Sequence, residues 1–441
     1  MTEIPPTAHP SGDEEGYEIL TQSQLDALVS LHERFLDGRI GGRRAMLKRA
    51  DISRLSLSDK NMRQADFSGC LMRGMDLSFT NFQEATLYAC DLSHSNLSNT
   101  SFVRADLRGS KIESANLIGA DLEKADLRGG ALTSNGQYQQ PEPVNFRGAN
   151  LSGARLSGSM ANHADFSDAI MARVNIQQAD LRGAKLVGAD LSGADLMGVQ
   201  LSGAKLNNAI LTGVNLDNVR DSGFDIDGAV TDSNVGYHIS DMGVSLGQLL
   251  DNHHMWVETA GKLGKQLDLS DYDLRELGDL KMGKLTAIKA RNSKFFGMNL
   301  YRVELQSSVL DGSDFRRCDM EEADLRGTSL RKANLSHARL RGGNFAPLMF
   351  GGGGVGQRFA PSDLTGAVLR YANLQDANLR SACFREADLS FANLSGCDLR
   401  EADFTGANME GVLMDDAQTE GAIFEQAKTG RAFSLKALQE E

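Results

Sequence analysis

An apolar residue recurs at every fifth position along most of the chain, and this spacing restricts the fold more than any other feature. From Ile52 the series runs through Leu57, Met62, Phe67, Met72, Leu77 and Phe82 and reaches Leu132 without a missed step. It returns from Phe146 to Leu216, again from Leu280 to Phe345, and a last time from Leu364 to Phe424. Two places before most of these centres stands a small residue, as at Ala65, Cys70, Thr80, Ala85, Cys90 and Ser95. A period of five matches neither the 3.6 of a helix nor the 2 of a long strand. It fits a chain that turns a corner every five residues, with the centre and the small residue both pointing inward.

The largest centres give the size of one coil. Phe82 and Phe102, Phe146 and Phe166, Phe295 and Phe315, and Phe384, Phe404 and Phe424 are spaced 20 residues apart. Four units per coil would stack these rings in columns at the ~4.8 Å spacing of neighbouring strands. The residue before each centre is commonly Asp or Asn, whose side chains suit hydrogen bonding at a turn.

Units such as Ala105-Asp106-Leu107-Arg108-Gly109 and Ala189-Asp190-Leu191-Ser192-Gly193 closely resemble the pentapeptide-repeat family, over roughly residues 50–228 and 267–426. The resemblance implies a mainly β fold, a right-handed quadrilateral β-helix with β-bridges and turns at its corners. It also implies one function: some bacterial members bind DNA gyrase or topoisomerase IV by imitating duplex DNA with an acidic rod, and dimerise through the C-terminal end.

A second level of repetition divides the chain. Ser23-Gln24-Leu25-Asp26 opens a helix, Ser245-Leu246-Gly247-Gln248 opens another, and each precedes a fresh run of units. Both have a capping-box-like start and an apolar stripe, so both suit the role of covering an open coil. The expected organisation is a polar, disordered tail at 1–17, a capping helix at 18–46 and a first solenoid at 47–228 with a loop at 133–143. A connection and second capping helix at 229–266 lead to a second solenoid at 267–426 with a loop at 346–361. A C-terminal tail occupies 427–441.

Chemistry is scarce. The cysteines Cys70, Cys90, Cys318 and Cys397 take the small inward position, Cys383 adjoins a centre, and no Cys-x-x-Cys occurs. The pattern suits thiols in a reducing compartment rather than zinc ligands. His94, His163 and His337 fall two places after a centre, at outward corners, while His32 and His253 lie on the capping helices. None has a nucleophile or carboxylate arranged for catalysis. Gly351 to Gly356 spells Gly-x-Gly-x-x-Gly but lacks the strand before it and the helix after it that a nucleotide fold needs. We therefore expect no active site, no cofactor and no metal.

The formal net charge of -13 argues against direct nucleic-acid binding, which depends on Lys and Arg displacing counterions. No apolar run reaches membrane-spanning length and the N-terminus lacks a secretory pattern, so a soluble cytoplasmic protein is expected. Recognition of a protein partner is left to the interruptions and the ends. The candidate contacts are Tyr138 in the first loop and Leu348, Met349, Phe350 and Phe359 in the second. A further set is acidic: Glu401, Asp403, Glu410, Asp415, Asp416, Glu420 and Glu425 lie in a stretch without Lys or Arg. Arg34, Arg39, Arg43, Arg44, Lys48 and Arg49 make the exit of the first helix basic. A homodimer through an end coil is a further possibility of such a build.

Overall fold

The computed structural model describes residues 17–130, 142–217, 219, 223–350 and 358–429. The chain divides into two compact units, one ending at Asn234 and the other beginning at Val235. Each is a β-helix. Main-chain hydrogen bonds run from coil to coil: Leu57 N–H donates to Asp76 O at 2.9 Å, and Phe404 N–H donates to Ile423 O at 2.7 Å. Parallel bridges connect equivalent residues of successive coils, from Met46 with Asp66 to Ile210 with Val230 in the first unit. In the second unit they run from Asp268 with Lys289 to Asn408 with Lys428.

The inward pattern follows the five-residue frame. Leu77, Phe82, Leu87 and Leu92 are fully buried, as are the small residues Ala65, Cys70 and Thr80. Phenylalanine columns form at the expected step, with ring centroids 4.8 Å apart for Phe146 and Phe166 and 4.4 Å for Phe295 and Phe315. Phe384, Phe404 and Phe424 make a continuous stack at 4.9 and 5.1 Å. Burying one such ring contributes about 1.5–3 kcal/mol of transfer free energy. Many polar groups at the small position donate to the coil before, whereas the Ser159 hydroxyl is buried without a hydrogen-bond partner. Thr80 Oγ1 donates to Leu57 O at 2.7 Å, Ser110 Oγ to Leu87 O at 2.8 Å, and Cys397 Sγ to Leu374 O at 2.9 Å.

The corner hydrogen bonds are also formed. Asp51 Oδ1 accepts from Ser53 N–H at 2.9 Å and Asn150 Oδ1 from Ser152 N–H at 3.1 Å. Each turn then places a residue in the left-handed region. Gly69 takes this at φ +70°, whereas His94, His163 and His337 adopt it at 61°, 64° and 58° without that freedom.

Both insertions leave the coil intact. Lys111 bridges Asn145 and Ser329 bridges Asp363, so partners lie 34 residues apart where a regular coil has 20. Gly130 and Glu142 close the base of the first insertion with two hydrogen bonds of 2.9 Å. The second run begins earlier than the reading from Leu280. Leu269 and Leu274 are already buried centres, and one extra residue, absorbed in the 3-10 turn Arg275–Leu277, shifts the frame.

The start of each unit is covered by a lid made of a short strand and a helix. In the first, β1 (Glu18–Ile19) pairs in parallel with β2 (Ala50–Asp51), and α1 (Gln22–Leu36) follows. In the second, β3 (Tyr237–His238) pairs with β4 (Tyr272–Asp273), and α2 (Leu246–Glu258) follows. The first helix starts at Gln22, not Ser23. Thr21 caps it, with Gln24 completing a capping box in which each side chain accepts from the other residue's backbone N–H.

Candidate interaction surfaces

The second interruption folds into an antiparallel hairpin of β5 (Leu348–Phe350) and β6 (Arg358–Ala360). Its register pairs Leu348 with Ala360, Met349 with Phe359, and Phe350 with Arg358. Side chains alternate across a strand, so Leu348 and Ala360 share one face and Met349 and Phe359 the other. The first face lies on the coil, where a Cβ built at Gly327 would come within 2.9 Å of Leu348 Cβ and 3.2 Å of Ala360 O. The second face is open: Met349 is 59% exposed and Phe359 62%. Leu348 is therefore an anchor of the hairpin and not part of its outward surface, because the period of two turns it toward the wall. Tyr138 lies outside the described residues.

The acidic stretch separates into two parts. Glu401 accepts from Arg380 at 2.8 Å and from Ser381 Oγ at 2.9 Å, and the Arg380 bond holds its carboxyl below the usual range. Asp403 is paired with Arg385 at 2.5 Å and also accepts from Thr405. Both take part in the wall's own ion pairs, Glu401 remaining exposed and Asp403 half-buried. Glu410, Asp415, Asp416, Glu420 and Glu425 are exposed and form no ion pair among the described residues.

Elsewhere the walls neutralise their own charge. In each Asp-Leu-Arg unit the arginine folds back on the aspartate, as where Arg108 Nε and Nη2 donate to Asp106 at 2.9 and 2.7 Å. The same clamp occurs at Asp180 with Arg182 and at Asp398 with Arg400. There the arginine's hydrogen bond holds each carboxyl below its ordinary range. The basic exit of the first helix is also partly used. Arg39 pairs with Asp37 at 3.0 Å, Lys48 with Asp66 at 3.6 Å, and Arg49 lies 5.6 Å from the centroid of the Tyr17 ring.

The family model for pentapeptide repeats matches residues 61–99, 90–129, 144–178, 175–213, 308–345, 359–385 and 382–417, more than half of the chain. The chain belongs to the pentapeptide-repeat family. Among solved structures, this pentapeptide-repeat protein is similar to QnrB1, a plasmid-mediated fluoroquinolone resistance protein. The identity is 22%, the match covers 46% of this chain and 98% of that one, and the TM-score is 0.33. It is also similar to HetL of the cyanobacterium Nostoc sp. strain PCC 7120, a pentapeptide-repeat protein involved in heterocyst differentiation regulation. That match has 20% identity over 89% of this chain and 94% of that one, with a TM-score of 0.21. Rfr23 of the cyanobacterium Cyanothece 51142 shares 32% identity over 28% of this chain and 88% of that one, at a TM-score of 0.23. No curated protein matches by sequence.

Among the described residues of this pentapeptide-repeat protein, no group of His, Cys, Asp or Glu is placed to hold a metal ion. All five cysteines are free, and burial raises the Cys70 thiol to about 11 and the Cys397 thiol to about 12. Such thiols stay protonated and unreactive at neutral pH. No helix among the described residues is long and apolar enough to cross a membrane. Sequence reasoning missed the two-residue strands β1 and β3 and the pairing inside the hairpin. The glycine run signalled an interruption but not that its flanks would pair.

Proposed function

We propose that this chain is a non-enzymatic protein-binding scaffold, a right-handed, four-sided coil whose second-unit hairpin carries a contact surface for a protein partner in the cytoplasm. The observation behind this reading is the exposed cross-strand pair Met349 and Phe359, held outward because Leu348 seats the hairpin over Gly327. Two large apolar side chains on a seated hairpin lose little conformational freedom on binding and bury apolar area when covered. The expected result for the double substitution Met349→Ser and Phe359→Ser is at least a roughly tenfold loss of partner capture, about 1.4 kcal/mol or more. Affinity capture from the native cell with wild-type and variant chains measures this, with unchanged thermal unfolding as the control. Capture at wild-type strength by the folded variant would remove the hairpin from the interface.

A second reading, binding to DNA gyrase or topoisomerase IV by charge imitation, draws on the five exposed acids between Glu410 and Glu425, which form no ion pair among the described residues. The Asp-Leu-Arg clamps oppose it, because they cancel the wall potential that a DNA-like rod needs. A supercoiling assay showing neither inhibition of gyrase nor protection from a fluoroquinolone would eliminate it.

A further inference from the structure

The two lids share one internal fastening. His32 of α1 is fully buried: its Nε2 lies 3.0 Å from Arg63 O, and Ala45 N–H donates to its Nδ1 at 3.0 Å. His253 of α2 is equally buried, with Nε2 2.8 Å from Thr286 O and Nδ1 accepting from Leu267 N–H at 3.1 Å. In both lids the imidazole ties the helix to the first coil through one nitrogen and to the descending chain through the other.

The partners determine the protonation state. A backbone N–H only donates, so the Nδ1 facing it must accept; a carbonyl only accepts, so the Nε2 facing it must carry the proton. The bridging ring is thus the neutral Nε2–H tautomer. An imidazolium carries protons on both nitrogens, and its Nδ1–H would point at the Ala45 or Leu267 amide, setting donor against donor in a site without water contact. We propose that each lid is an acid-released latch, in which protonation of His32 or His253 breaks its bond to the Ala45 or Leu267 amide and frees strand and helix from the first coil. Release would uncover the β2 and β4 edges, which β1 and β3 otherwise pair.

The charged surroundings point the same way, with one exception. Burial is the main cause of a lowered pKa at both histidines. Arg44 adds to it at His32 and His254 at His253, while Glu33 and the Arg63 and Thr286 carbonyls oppose it. The closed lid therefore binds fewer protons than the open one between the closed-state pKa and about 6.5. Closure is independent of pH above that window, weakens as pH falls through it, and has lost the full contribution below it. His238 in β3 acts oppositely. Its Nδ1 lies 2.5 Å from Glu276 Oε1, and that bond raises its pKa, so acid strengthens this exposed pair. In the second lid this pair therefore opposes the release by His253.

The test uses the full chain taken from about pH 7.5 to 5, across the normal range of histidine titration. Trp256, the single tryptophan, stacks on His253 with centroids 5.9 Å apart and reports on the second lid by its emission. Hydrogen exchange at the Ala45 and Leu267 amides and along α1 and α2 reports on both. The expected result is an opening constant that rises up to about tenfold per pH unit within the window. The asparagine variants His32→Asn and His253→Asn keep an acceptor toward the amide and cannot titrate, so each should abolish the acid loosening of its own lid alone, leaving at the second lid only the opposite response of His238. Protection that is unchanged by acid in the wild type, or acid-induced loosening that persists in the variants, would overturn the proposal. Where a variant fails to fold, imidazole NMR of the wild type decides: a Nδ1–H tautomer, or a midpoint at or above about 6.5 for both rings, rules the latch out.

Discussion

Phe404→Ala is expected to destabilise the end of the second unit by about 3–5 kcal/mol, the range for deleting a buried aromatic ring. Phe404 is fully buried between Phe384 and Phe424, with interplanar angles of 2° and 3°. Its removal leaves a void with a flat ring on either side, and neither ring can close it without leaving its own column. Each coil touches only its neighbours, so the loss should remain local. Hydrogen exchange should rise across residues 399–428 and leave the coils at 52–127 unchanged. Phe404→Leu keeps most of the volume and should lose far less, within about 1.5 kcal/mol. A loss spread evenly over both units, or one below about 1 kcal/mol for alanine, would show that the column is not the cohesive element it is taken to be.

The lids offer the second large effect. A Cβ at Gly264 would stand 2.1 Å from Asn252 O and 2.8 Å from Trp256 N, and one at Gly42 would stand 2.4 Å from Phe35 N. These are main-chain atoms of α2 and α1, so no side-chain rotation relieves the overlap. Gly264 also sits at φ +74°. Alanine at either glycine is expected to push the lid off its coil at about 1–3 kcal/mol, the usual range for overpacking. For Gly264→Ala the readouts are a shift of Trp256 emission and lost protection along α2. The comparison variant is Gly41→Ala, which shares a left-handed φ of +81° but has nothing within 4 Å of the added carbon. It carries only the conformational penalty of about 1–2 kcal/mol. If Gly41→Ala and Gly42→Ala loosen α1 equally, close packing is not what seats the lid.

The coil was legible because its signal is carried by every unit. A single period places Leu77, Phe82, Cys90 and Phe102 inward before any contact is known, and the structure buries each of them. Neighbours one coil away were harder to see. Counted along the chain, residues 401–426 contain no cation, yet Arg385 and Arg380 reach Asp403 and Glu401 from the coil before. Charge along the sequence therefore overstates charge on the wall. The lid strands gave no signal at all. Two residues cannot show an alternation, and Ile19 is 77% exposed even though its backbone is paired. His32 and His253 were visible as helix residues, but their role depends on carbonyls at Arg63 and Thr286, which become neighbours only when the coil closes.

The two interruptions have a practical consequence for engineering. Each adds residues to one turn of the helix while the bridges on either side keep their places, so the length of the polypeptide is uncoupled from the length of the scaffold. Foreign segments grafted at these points would hang from an unchanged backbone, with attachment points already tolerated by the chain. The same uncoupling means that a change in loop size leaves the spacing of every other wall position intact.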